Sequence, residues 1–134
     1  MRLFLFLTFL SFFIFEKNHA QILTRGPYMN MATANSIVIR WRTDVPCNSQ
    51  VKYGTNKNNL NIAVNTAALV TDHIVTLSSL SAETLYYYSV GTSLITLQGD
   101  SQNYFHTAPV ASATYNKPVR FWAVGDMAKN TPQE

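Results

Sequence analysis

From Ser36 to Arg42 the chain alternates without a break, with Ile37, Ile39 and Trp41 at one parity and Val38, Arg40 and Arg42 at the other. Successive side chains of a strand point to opposite sides, so this order suits a strand with one buried face and one wet face. After residue 20 no apolar stripe recurs at helical spacing. Turn-forming residues return about every ten positions, the spacing of an antiparallel sandwich or barrel. Strands are expected at 22–29, where Pro27 confines the segment to an edge, and at 36–42, 50–53, 61–64, 73–77, 85–90 and 102–107. Gly54 closes the third strand, Asn56-Lys57-Asn58-Asn59 is a polar loop, and Gly99-Asp100 is a turn. Val75 and Leu77 face inward on the fifth strand; Tyr86, Tyr88 and Val90 share one face of the sixth. Seven short strands around a buried Trp41, with no disulfide to staple them, describe an all-β, immunoglobulin-like antiparallel sandwich of the fibronectin type III kind.

Composition removes several function classes. A chain of 134 residues suits one domain and has no room for a large two-domain enzyme. Hydrophobic residues make up 47% of it, enough to build a core and to exclude a disordered chain. The net charge is +3, but Lys and Arg are scattered, and a nucleic-acid footprint needs them clustered. A single cysteine, Cys47, excludes both an intrachain disulfide framework and a Cys-rich zinc site.

The first twenty residues are not expected to join the fold. Met1-Arg2 is a short basic start, and residues 3–15 are apolar apart from Thr8 and Ser11. A membrane-spanning helix needs about 20 such residues, so no stable membrane anchor is expected. Glu16-Lys17-Asn18-His19-Ala20 is a polar tail ending in a small residue. This is the layout of a signal peptide over residues 1–20, cleaved after Ala20, and it implies a secreted, periplasmic or cell-surface protein.

The sandwich is expected to end at Pro109, which sets its bounds at 21–109. Residues 110–118 read as a linker punctuated by Pro118. Val119-Arg120-Phe121-Trp122-Ala123-Val124 is then a mostly apolar run closed by Gly125-Asp126. Such a run reads as a buried strand, with a carboxylate at the end where open sheets place their ligand-binding groups. A buried strand needs neighbours for its backbone groups, so residues 119–134 are expected to open a further domain of a longer protein.

Several motifs now bear on a family: Arg25-Gly26-Pro27-Tyr28, Ile39-Arg40-Trp41-Arg42-Thr43, Val51-x-Tyr53-Gly54, His73-x-Val75-x-Leu77-x-x-Leu80, Thr84-x-Tyr86-Tyr87-Tyr88-x-Val90-Gly91 and Phe105-x-Thr107-x-Pro109. In this order they resemble the amino-terminal domain of purple acid phosphatases. Phe121-x-x-x-Gly125-Asp126 resembles the start of that family's calcineurin-like metallophosphoesterase domain. Within the fibronectin-like signature, Tyr86 would form the tyrosine corner, with Ala82 standing where proline is usual; Trp41, Tyr86 and Tyr88 would be structural. The resemblance implies a full-length parent that hydrolyses phosphate monoesters at a two-metal site. Its cofactors would be iron and a divalent partner (zinc, manganese or iron). Asp126 would be the first metal ligand, although Ala128 stands where the motif usually carries a second glycine. The other ligand motifs of the family do not occur in this sequence, so the fragment itself is expected to bind no metal and to be inactive. Its expected partner is the catalytic domain of the same chain.

Each candidate also has a plainer reading. Asp126 could be a strand-end turn residue. His73 reads as a structural cross-strand residue, His106 as a solvent-side or interface residue, and three scattered histidines do not make a zinc site. Cys47 follows Pro46 in an expected loop and has no activating partner in view. Arg40 and Arg42 could bind an anion but more simply cover the sheet's outer face with their stems. A carbohydrate platform is weakened because alternation leaves only Tyr87 of the three tyrosines pointing outward. The rival to the phosphatase reading is therefore a noncatalytic adhesion or carbohydrate-binding module, which would not need residues 119–126.

Overall fold

The computed structural model describes residues 21–111 and residue 114. Its elements are β1 (Leu23–Asn30), β2 (Ile37–Gly54), β3 (Ile62–Leu77), β4 (Leu85–Gly91), β5 (Thr96–Gln98) and β6 (Tyr104–His106). All pairings among them are antiparallel. The first part of β2 lies between β1 and the end of β3, with Tyr28↔Arg40 on one side and Trp41↔His73 on the other. The last part of β2 lies between the start of β3 and β4, with Val51↔Val64 and Val51↔Val90. β5 and β6 then pair with opposite ends of β4. The two long strands thus belong to both layers of one curled sheet, and the expected all-β fold is the one observed.

The strand count differs from the sequence expectation for a physical reason. The expected second and third strands are one strand, β2, and the fourth and fifth are one strand, β3. The ladder runs from Arg42↔Asp72 to Cys47↔Val70 and then to Ser49↔Thr66. Residues 43–46 therefore oppose Thr71 alone, and residues 67–69 oppose Asn48 alone. Bulges of this kind bend a strand and increase its twist without ending it. Pro46 sits where the ladder is already irregular, so its missing N–H interrupts nothing. Cys47 accordingly lies buried within β2, not in a loop. The expected last strand, 102–107, is shortened to β6, and β5 is an additional short strand ahead of the turn at Gly99 and Asp100. Beyond that turn the Tyr88 N–H donates to the Asn103 carbonyl at 2.9 Å.

The concave side closes over Ile37, Ile39, Trp41, Val51, Tyr53, Val75, Leu77, Leu80, Tyr86, Tyr88, Val90 and Phe105. This is the inward parity of the strands, as the alternation requires. Tyr86 stacks on Phe105 at 5.4 Å and meets Tyr53 edge-on at 6.0 Å. Its hydroxyl accepts the Ser81 N–H at 3.0 Å, which is the tyrosine corner. Thr107 locks the same corner from the other strand: its hydroxyl donates to the Ser81 carbonyl at 2.6 Å and accepts the Thr84 N–H at 2.9 Å. Ala82 in place of proline therefore leaves the corner intact.

Candidate functional site

Trp41 and His73 are direct cross-strand partners, and both are fully buried. Around His73 the bulged part of β2 brings together Thr43, Cys47 and Ser49, all buried. The Thr43 hydroxyl donates to the Val45 carbonyl at 2.9 Å, so its lone pairs are free to accept from His73 Nε2, 2.9 Å away. The Ser49 hydroxyl then donates to Nδ1 at 2.8 Å. A neutral imidazole with its proton on Nε2 satisfies every one of these groups; the tautomer follows from the network. Burial pushes the His73 pKa below its ordinary value, and the neighbouring Asp72 carboxylate opposes that shift more weakly. Cys47 Sγ stands 3.7 Å from both Nε2 and the Thr43 hydroxyl. Both ring nitrogens are engaged and His73 is fully buried, so the imidazole is closed to an external molecule, while Cys47 is 4% exposed at the wall of a small hollow. Its role is to fix the bulge.

On the outer face of the first layer, Arg40 is half-buried rather than spread over a wet surface. Its guanidinium lies 5.9 Å from the Tyr28 ring centroid, and Nη2 reaches Asp72 at 3.4 Å. Arg42 is exposed and approaches the same carboxylate at 3.8 Å. Asp72 thus already occupies the position an anion would take. Arg25 covers the Tyr28 ring at 4.6 Å.

On the second layer, Tyr104 stands beside Tyr87, with ring centroids 6.2 Å apart and planes tilted by 59°. Tyr104 shares the parity of His106, but only the register Tyr87↔Tyr104 brings it beside Tyr87, and alternation within one strand does not give that register. A tilted pair does not form the flat platform that stacks on a sugar ring. His106 is exposed, and its Nδ1–H donates to the Thr107 carbonyl at 3.0 Å.

A groove of about 270 Å³ lies by Tyr87, lined also by Lys57, Asn58 and Asp100. A larger one, about 540 Å³, lies at the end of the sandwich where the chain leaves. Its walls are Thr33, Asn35, Leu80, Ala82 and the segment from Ala108 to Ala111. The Ala108 N–H donates to the Thr33 carbonyl at 3.1 Å, so the departing chain is tied to the domain.

Among the described residues, no three of His, Cys, Asp or Glu converge as metal ligands. Asp126, the expected first ligand, lies outside the described residues. Of the structural residues named from sequence, Trp41, Tyr86 and Tyr88 are all buried. The hydroxyl partners of His73 were not legible, since they become its neighbours only through the pairing of β2 with β3.

The family described as Purple acid Phosphatase, N-terminal domain, matches residues 26–115. No curated protein matches the chain. Similar solved structures include the long form of the sensor domain of the anti-sigma factor RsgI4 from Pseudobacteroides cellulosolvens, at 16% identity, covering 74% of this chain and 98% of that one, with a TM-score of 0.48. A computationally redesigned β-sandwich protein is 19% identical, over 63% of this chain and 93% of that one, with a TM-score of 0.42. A fibronectin type III domain from human KIAA0970 protein is 14% identical, over 79% and 85%, with a TM-score of 0.45. These scores lie below 0.5, and the sandwich reading rests on the chain's own strand pairing.

Proposed function

Because the chain belongs to the purple acid phosphatase N-terminal domain family, we propose that it is the amino-terminal, noncatalytic part of a secreted metal-dependent phosphomonoesterase. In this reading residues 1–20 are removed on export, 21–109 form the sandwich, 110–118 link it onward, and 119–134 begin the catalytic domain. The observation that carries it is the span of the family match: it ends at residue 115, and the apolar run closed by Gly125-Asp126 begins four positions later. The groove walled by Ala108 to Ala111 supports the same reading, since it offers apolar surface beside the departing chain to the domain that follows.

The iron and its divalent partner belong to the longer protein. The described residues do not form a donor set for them. Asp126 supplies one carboxylate, and each metal of such a pair needs several fixed oxygen or nitrogen ligands to activate water and clamp a phosphate. No catalytic step is therefore assigned to this chain alone.

The test compares the 134-residue chain with the product of the reading frame extended beyond Glu134. Both are assayed for hydrolysis of a phosphate monoester with iron and zinc supplied, alongside metal analysis. The extended protein should turn over substrate and hold metal, and its Asp126→Asn variant should lose most of both. Turnover by the short chain would overturn the noncatalytic assignment, and full metal content in the variant would overturn the ligand assignment.

A further inference from the structure

The two bulges at the layer crossover gather an apolar tip. Residues 43–46 of β2 and 67–69 of β3 arch out together, and the turn between β4 and β5 closes beside them. Leu94 is 91% exposed, Leu69 71% and Ile22 61%. Leu69, Leu94, Pro46 and Gln21 line one shallow hollow.

This exposure is built, not a consequence of a loose loop. The Asn48 amide grips Ser93 twice, donating to its hydroxyl at 2.8 Å and accepting its N–H at 3.0 Å. The Thr92 hydroxyl accepts the Leu94 and Ile95 N–H groups at 3.2 and 3.1 Å. The Thr92 N–H donates to the Ile95 carbonyl at 2.8 Å. A Cβ at Gly91 would run into that same carbonyl oxygen, so the turn is drawn tight against bare backbone. Its polar groups are satisfied internally, and what it turns outward is leucine. Rigid presentation of exposed apolar side chains is the pattern of an interaction site.

Two further observations select the occupant. The pairings Leu23↔Thr43 and Asn30↔Val38 put the tip at the opposite end of the first layer from the exit groove at Thr33 and Ala108. Behind the tip, Arg25 and Arg42 are paired neighbours on the outer face. A rise of about 3.3 Å per residue along β1 sets Arg25 roughly 10 Å behind Ile22. Arg42 shares Asp72 with Arg40, whereas the polar contact of Arg25 is the Tyr28 ring. Asp44 is the carboxylate at the tip itself, and it is held by the Ile22 N–H at 2.8 Å. Apolar side chains ahead of a basic belt at this depth match an interface of acyl chains beneath anionic headgroups.

The geometry points to a peripheral membrane contact: the tip of Ile22, Pro46, Leu69 and Leu94 inserts shallowly into an anionic phospholipid bilayer, with Arg25 and Arg42 at the headgroups. This contact is separate from any spanning anchor and does not depend on the catalytic reading.

The experiment is co-sedimentation of the exported chain with vesicles of phosphatidylcholine, alone or mixed with phosphatidylglycerol. Binding should be strongest to the mixed vesicles and weaken with salt. Leu94→Ser and Leu69→Ser should each reduce partitioning about tenfold, the effect of withdrawing one leucine from an apolar medium. Arg25→Gln should reduce it severalfold on mixed vesicles and leave phosphatidylcholine binding unchanged. All three positions are exposed, so circular dichroism should show unchanged folding. Absence of binding to either vesicle, or wild-type binding by the Leu69→Ser/Leu94→Ser double variant, overturns the proposal. A dimer in size-exclusion chromatography that the double variant abolishes, without vesicle binding, replaces it with self-association through the tip.

Discussion

The His73 imidazole lies flat on the Trp41 indole, with ring centroids 4.7 Å apart and planes within 5°. Both of its nitrogens are committed to hydroxyls, and burial disfavours a second proton on the ring.

A pH dependence follows from that arrangement. Burial lowers the His73 pKa in the folded chain, whereas the unfolded chain titrates near the ordinary 6.5. Above that value both states are neutral and the stabilisation is complete. As pH falls from 6.5 toward the lowered folded value, the unfolded state binds a proton that the folded state refuses, and stability declines. The slope cannot exceed one proton, about 1.4 kcal/mol per pH unit. Urea midpoints of the wild type should drop between pH 7 and 5 more steeply than those of His73→Asn, in which the titration is absent. Parallel pH profiles would count against the network.

Trp41 fills the centre of the core, and its indole Nε1 finds no acceptor among the described residues. Truncation to alanine should cost about 3–5 kcal/mol in urea unfolding, the range for large buried aromatics. Trp41→Phe should cost clearly less, because it keeps a ring against His73 and gives up no hydrogen bond. A loss below about 1 kcal/mol for the alanine variant would be incompatible with a buried tryptophan.

Tyr86→Phe isolates the tyrosine corner. The ring contacts with Tyr53 and Phe105 survive, while the Ser81 N–H loses its acceptor. The expected loss is about 1–2 kcal/mol, the cost of stranding one partly buried donor. Amide exchange at Ser81 should accelerate in the variant, and unchanged exchange there would place the acceptor elsewhere.

Export should remove residues 1–20. Intact mass of the secreted protein is expected to correspond to a chain starting at Gln21, and a mass that retains Met1 and Arg2 would contradict cleavage.

How much of this was legible beforehand depended on the range of each signal. The inward set on Ile37, Ile39 and Trp41 could be read because period-2 alternation is local. The corner could be read because Tyr86 and its upstream partner are five residues apart. The joining of strands through residues 43–48 could not, since Pro46 is a breaker in any local reading and a bulge is defined by the opposing strand. β5 covers three residues and offers no alternation to recognise. The surroundings of His73 depend on pairings 24 to 30 positions apart. Asp126 drew attention as a carboxylate closing an apolar run, but the ligand role expected of it came from the family resemblance, and it lies outside the described residues.

The two long strands that pass from one layer to the other have a last consequence, for how the domain comes apart. Each layer borrows backbone from the same two strands, so neither can be peeled away as a finished piece. A protease that nicks the arch at residues 67–69 severs a strand that both layers use, and the products should be unstructured rather than two trimmed halves. Excising the loops at the tip is thus not a route to a smaller stable fragment, and the sandwich survives or is degraded as a unit.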